Sequence, residues 1–147
     1  MPLGKNIVII GGELVGLELA EFLVERGRKV AVIDETPKFG EGLALVRRLR
    51  ILAELREHGV NMHPAATGVH IESGKVCFIS QDGKPQTVVA DEVIVAKGAT
   101  GDSTPAEAFR AAGLRVHEIG DGCGVGYIEG AMRSAMEVVD TINAGLG

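Results

Sequence analysis

Apolar and polar positions along this chain change period several times, and each change marks an element. Asn6-Ile7-Val8-Ile9-Ile10 is an apolar, β-branched run of strand length that stops at Gly11-Gly12. From Leu14 to Glu25 the spacing turns helical, with Leu14, Leu17, Ala20, Leu23 and Val24 on one side, Glu21 and Glu25 on the other, and Gly27 as the stop. Lys29 to Ile33 is a second apolar run and closes on Asp34. A loop from Glu35 to Gly42 leads to a second helical stretch, about Leu43 to His58, whose predicted stripe is Leu45, Leu49, Leu52 and Leu55, with Gly59 as its cap. Val60 to Pro64 is a short third strand, completing β-α-β-α-β with right-handed parallel crossovers.

Strict alternation then replaces the helical period. Gly68 to Glu72, Lys75 to Ile79 and Gln86 to Val89 are separated by Ser73-Gly74 and Asp82-Gly83, and Asp-Gly between alternating runs marks a hairpin. The pattern predicts an antiparallel meander over 68–90 in place of a crossover helix, and Glu92 to Ala96 returns as a fourth parallel strand. After Gly98, Thr104-Pro105-Ala106-Glu107 reads as a capping box opening a short helix to about Ala112, which Gly113 ends. Arg115 to Ile119 is a predicted fifth strand running into Gly120-Asp121-Gly122, and Tyr127 to Ala144 a final helix. The expected fold is α/β: a doubly wound parallel sheet of about five strands carrying the meander. It comprises residues 1–98 and a C-terminal segment, 99–147, packed on the same sheet.

Bulk composition narrows the class. A chain of 147 residues, 46% hydrophobic, makes one core rather than two ordinary domains. With aromatics at 3% and no Trp, that core is built from Val, Ile, Leu and Ala, as buried parallel strands prefer. Net charge is −5 and the densest basic stretch, Arg47-Arg48-Leu49-Arg50, sits inside a helical pattern, so nucleic acid is not an expected partner. No apolar segment approaches the roughly 20 residues of a membrane span, and no signal-type stretch precedes the first strand; a cytoplasmic protein is the expectation. Cys77 and Cys123 have no Cys-x-x-Cys spacing and no His beside them in sequence, so neither a disulfide framework nor a metal site is indicated.

The chemistry concentrates where the first strand meets the first helix. A strand, a glycine turn, an amphipathic helix and a second strand closed by a carboxylate together build a dinucleotide site. Glycines let the strand turn sharply and the helix approach the sheet, while the helix N-terminal amides face an anionic pyrophosphate. Asp34, eighteen positions after Gly16, accepts hydrogen bonds from an adenosine ribose and repels a 2′-phosphate, which favours NAD over NADP. The G-x-G-x-x-G pattern is met at Gly11 and Gly16, but its middle glycine is Glu13. A carboxylate about 5 Å from a phosphate, at an effective dielectric near 20, costs about 3 kcal/mol. The other reading of Gly11-Gly12 is a plain strand-to-helix turn.

Taken in order, Ile9-Ile10-Gly11-Gly12 with Gly16-Leu17-Glu18, the strand ending at Asp34, the meander, Val95-Ala96-Lys97-Gly98 and Val116-His117-Glu118-Ile119-Gly120-Asp121 resemble the pyridine nucleotide-disulfide oxidoreductases. The resemblance is nearest to the nicotinamide-binding and C-terminal portion of NADH:flavin oxidoreductases of the 2,4-dienoyl-CoA reductase and trimethylamine dehydrogenase type. It implies a Rossmann-like domain inserted in a flavin domain, with Gly98 at the exit, Gly120, Asp121 and the backbone near Ile128 beside FAD, and Glu18 near the nicotinamide carboxamide. For Asp121 the alternative is a turn or capping residue, and for Glu18 a solvated or ion-paired one. Lys97 stands where that family has Thr or Ile, and meets pyrophosphate, Glu13 or solvent.

The expected cofactor-binding residues are therefore Gly11, Gly12, Glu13, Leu14, Val15, Gly16, Glu18, Asp34, Glu35, Gly98, Gly120 and Asp121, with no side chain cast as a catalyst. The implied role is to hold NADH for hydride transfer to a flavin. FAD would bind only with segments this chain lacks, and the expected partners are the missing flavin and barrel domains of a larger polypeptide. Apolar surface left by those neighbours makes self-association possible. A non-catalytic nucleotide-binding or structural domain with a degenerate fingerprint is the alternative.

Overall fold

The apolar run Asn6–Ile10 forms strand β1, and its alternating side chains serve two cores, Ile7 and Ile9 facing one side and Val8 and Ile10 the other. The computed structural model describes residues 3–145, so the outermost residues of the two expected segments, 1–2 and 146–147, lie outside the described residues. Helix α1 (Leu14–Val24) follows the glycine turn, then β2 (Lys29–Ile33), helix α2 (Leu45–Glu57) and β3 (Asn61–His63). The meander is β4 (Thr67–Glu72), β5 (Lys75–Ile79) and β6 (Pro85–Val89), and β7 (Glu92–Val95) returns to the parallel sheet. That sheet has the order β3-β2-β1-β7, all pairs parallel, and β4-β5-β6 is a separate antiparallel sheet. This is the α/β, Rossmann-like architecture with a meander in place of a crossover helix.

Two cores explain why both connection types occur. On one face, Ile7, Ile9, Val30 and Val32 pack with Leu17, Ala20 and Leu23 of α1 and Ile51 and Leu55 of α2. On the other, Val8, Ile10, Ala31 and Ile33 pack with Val76 and Phe78 of β5. Each such aliphatic side chain contributes about 1.5–3 kcal/mol on burial, so a sheet sealed on both faces repays a continuous apolar strand pattern.

The chain divides after Gly98 into two compact units. The second contains helices α3 (Thr104–Ala111) and α4 (Tyr127–Ala144) and a 3-10 turn at Gly120–Gly122. None of its described residues is fully buried, and Phe109, Tyr127, Ile128, Met132, Met136 and Val139 stand exposed.

Three expectations are corrected. Among the described residues Arg115 to Ile119 pairs with no strand, so the parallel sheet there has four strands rather than five; an alternating pattern forms a strand only if a partner offers its backbone groups. Helix α2 begins two residues later than expected, and its buried face is Ile51 and Leu55 with Leu52 partly covered, while Leu45 and Leu49 are exposed, because Arg47 and Arg48 turn toward α1 and the preceding loop. The cap of α3 comes one residue early: Ser103 is the N-cap, and Asp102 Oδ1 accepts the Thr104 amide at 2.9 Å.

Candidate functional site

Each glycine of the strand-to-helix turn has its own steric reason. Gly11 has φ +122°, and a Cβ there would lie 2.2 Å from the Ala96 carbonyl oxygen just past β7. At Gly12 a Cβ would meet the Phe39 ring at 2.1 Å, and at Gly16 the Gly11 carbonyl at 2.0 Å, so α1 is seated directly on the turn. Position 13 differs. Glu13 has φ −87° and ψ −170°, extended backbone open to any residue, so the glycine missing from the pattern is not needed for conformation.

The turn sits at the carboxyl edge of β1 between β2 and β7, the switch point where open α/β sheets bind ligands. The first bond of α1 runs from the Leu17 amide to the Glu13 carbonyl at 3.0 Å. Glu13 makes no capping hydrogen bond and the first turn holds no acidic side chain, which leaves the Leu14, Val15 and Gly16 amides without an intrahelical partner. These amides form a positive end suited to an anion.

Asp34 is buried at 8% exposure, and its carboxylate is already engaged. Oδ2 accepts the Gly12 amide, while Oδ1 accepts the Thr36 amide at 2.8 Å and the Thr36 hydroxyl at 2.9 Å. Three donors leave about one of a carboxylate's four acceptor positions for a ligand. Glu35 beside it is exposed and ion-paired with Lys97 at 2.8 Å, so the Lys97 ammonium is engaged by Glu35 rather than by Glu13. Glu13 instead reaches the loop, where Oε2 accepts the Gly42 amide at 3.2 Å.

Residues 35–44 thereby close over the turn, a feature the expected site lacked. The Gly40 amide donates to the Gly12 carbonyl at 2.8 Å, Phe39 lies over Gly12, and the Arg48 guanidinium donates to the Phe39 carbonyl at 2.7 Å. The available signal was a single aromatic residue between residues 35 and 44, Phe39 in Lys38-Phe39-Gly40. Glu18 lies on the exposed side of α1, 3.6 Å from Arg47, which also holds Glu21 at 3.0 Å and ties α1 to α2.

In the second unit the Gly120 amide donates to Ser134 Oγ at 2.9 Å, and Asp121 Oδ1 accepts the Gly126 amide at 3.0 Å. Asp121 thus closes the loop into α4. Tyr127 enters that helix at φ +56°, a left-handed conformation costly for an aromatic residue. Gly98 has φ +82° at the end of the first unit. Among the described residues no helix is long and apolar enough to cross a membrane.

Comparison with known proteins agrees with this geometry. Residues 1–122 match the family model described as pyridine nucleotide-disulphide oxidoreductase. The chain is 26% identical over 135 residues to an NADH oxidase of Thermoanaerobacter brockii, covering 91% of this chain and 21% of that protein. It is 29% identical over 103 residues to a dihydrolipoyl dehydrogenase of Pseudomonas aeruginosa, covering 65% of this chain and 21% of the relative. A solved 2-naphthoyl-CoA reductase superposes with a TM-score of 0.80 at 26% identity, over 91% of this chain and 20% of that one. Histamine dehydrogenase from Rhizobium sp. 4-9 shares the fold at a TM-score of 0.73 and 21% identity, over 92% of this chain and 23% of its own. The chain spans about a fifth of the length of these relatives. A glycine turn on an uncapped helix, an acid at the end of β2, a meander for a crossover and a family match over most of the sequence lead to one conclusion: the chain belongs to the pyridine nucleotide-disulphide oxidoreductase family.

Proposed function

We propose that this chain is the pyridine-nucleotide-binding portion of a flavin-dependent oxidoreductase of the NADH:flavin type, and that it orients NADH for hydride transfer to a flavin. The observation that carries the reading is the uncapped first turn of α1 at the switch point of the sheet, with glycines at the three positions where a Cβ would collide. In this reading the Leu14, Val15 and Gly16 amides receive the pyrophosphate and the one open acceptor position of Asp34 receives a ribose hydroxyl. Asp34 places negative charge where a 2′-phosphate would lie, while Glu35 is neutralised by its pair with Lys97, and the Asp34 charge favours NADH over NADPH. Hydride transfer belongs to the cofactors; the chain's residues bind and orient, and none is required as an acid or base.

The second unit supports the remainder of the proposal. Its apolar side chains are uncovered, as expected of a segment built to pack on flavin and barrel domains of a larger polypeptide, with Gly120, Asp121 and the Tyr127–Ile128 backbone beside the flavin. Self-association of the isolated chain would follow from the same surface, in a cytoplasmic setting. Glu13 favours a second reading, a nucleotide-binding or structural domain without catalytic use, because its carboxylate stands beside the anion site. Calorimetry of the chain with NADH and NADPH separates these. Binding of NADH at least about tenfold tighter than NADPH supports the proposal; no binding of either at millimolar ligand overturns it.

A further inference from the structure

The meander carries, away from the nucleotide turn, a set of side chains that no part of the redox reading uses. His70 and Glu72 are two residues apart on β4 and so share a face, and Cys77 of β5 is the register partner of His70. His70 Nε2 is 3.2 Å from Glu72 Oε1 and Cys77 Sγ is 3.6 Å from the same oxygen. All three candidate ligand atoms lie within 4.8 Å of one another. Tetrahedral zinc, with bonds of about 2.0 Å to nitrogen and oxygen and about 2.3 Å to sulfur, has ligand-to-ligand edges of about 3.3–3.6 Å. The two short distances already have that size.

The surroundings hold these atoms as ligands are usually held. His70 Nδ1 donates to the Gly68 carbonyl at 2.9 Å, which in the neutral ring leaves Nε2 with its lone pair facing the cluster. The irregular register between Thr67 and His70, with Gly68 at φ +61°, is what turns that carbonyl toward the ring. Lys75 takes the other carboxylate oxygen of Glu72 at 3.0 Å and leaves Oε1 to the cluster. Thr87 of β6 stands 3.7 Å from Cys77 Sγ.

We propose that His70, Glu72 and Cys77 bind a divalent cation of the zinc type, with water completing the coordination. Neutral imidazole, carboxylate and thiolate offset the two positive charges of the ion, and the protons displaced from the Cys77 thiol and from any His70 imidazolium pass to solvent. The test is titration of the full chain with Zn2+ by calorimetry in phosphate-free buffer, and with Co2+ followed by near-ultraviolet absorption. The expected result is one ion per chain, bound tighter than about 100 µM, with a thiolate-to-cobalt charge-transfer band. Cys77→Ser abolishes the band and weakens zinc at least about tenfold; His70→Asn weakens zinc similarly; Cys123→Ser changes neither. Circular dichroism checks folding, which these variants preserve because Val76 and Phe78 carry the opposite, buried face of β5. No binding by the folded chain, a band that survives Cys77→Ser, or one lost in Cys123→Ser overturns the proposal.

Discussion

Replacing Glu13 with Gln isolates the charge that sets this turn apart from the usual glycine pattern. The side chain costs nothing in backbone strain, since φ and ψ at position 13 are extended, and it is held by one long hydrogen bond from the Gly42 amide. Gln keeps an oxygen for that amide and removes only the charge. For a diphosphate on the first-turn amides with its nearer phosphorus taken at about 5–7 Å from the carboxylate, one charge pair at an effective dielectric near 20 would be worth about 2–3 kcal/mol. Partial exposure of Glu13 lowers this to about 1.5–2 kcal/mol, a factor of about ten to thirty in affinity. Calorimetry with NADH should show that gain for Glu13→Gln, shrinking as salt rises from about 0.05 to 0.5 M. Glu13→Gly should gain less, because it also loses the tie to the loop and adds backbone freedom of about 0.5–1 kcal/mol. Equal or weaker NADH binding by Glu13→Gln, independent of salt, would refute a pyrophosphate at this turn.

Two further outcomes follow from the geometry. Gly12→Ala drives a methyl into the Phe39 ring and should cost about 2–3 kcal/mol in denaturant unfolding, and less in a Phe39→Ala background, where the 3.0 Å approach to Asp34 Oδ2 remains; strictly additive losses would show that the ring does not cover the turn. In a proton NMR titration His70 should ionise above 6.5, held up by the Gly68 carbonyl and then by Glu72, and His63 below it, since burial against Phe78 disfavours the charged ring. The raised His70 favours the fold below its unfolded pKa and loses that contribution as pH climbs through its folded value. The lowered His63 makes stability increase with pH across its own window. His63 titrating above His70 would contradict at least one of these assignments.

What was legible in the sequence was local. The period-two and period-3.6 patterns, the Asp82-Gly83 turn and the seating of Gly16 on the Gly11 carbonyl are set by neighbours a few residues away, and α1, the meander and α4 fall where those patterns place them, whereas Gly11 and Gly12 answer to Ala96 and Phe39 far along the chain. Pairing is not local. Arg115 to Ile119 has strand spacing yet finds no partner, and the stripe on α2 was decided by where Arg47 and Arg48 found acceptors, Glu21 on α1 and the Phe39 carbonyl. The composition of the site likewise depended on the return of loop 35–44, which brings Phe39 onto Gly12 and Gly42 to Glu13. Asp34 is expected at the site from its place after β2; two of its donors, the amide and hydroxyl of Thr36, are local, and only the Gly12 amide comes from the turn across the sheet edge. His70 and Cys77 are seven positions apart and carry no metal-binding spacing; only antiparallel register sets them opposite one another. Elements follow from neighbouring residues because backbone conformation is chosen over a few positions, whereas a site needs side chains that meet only when distant strands pair and loops fold back.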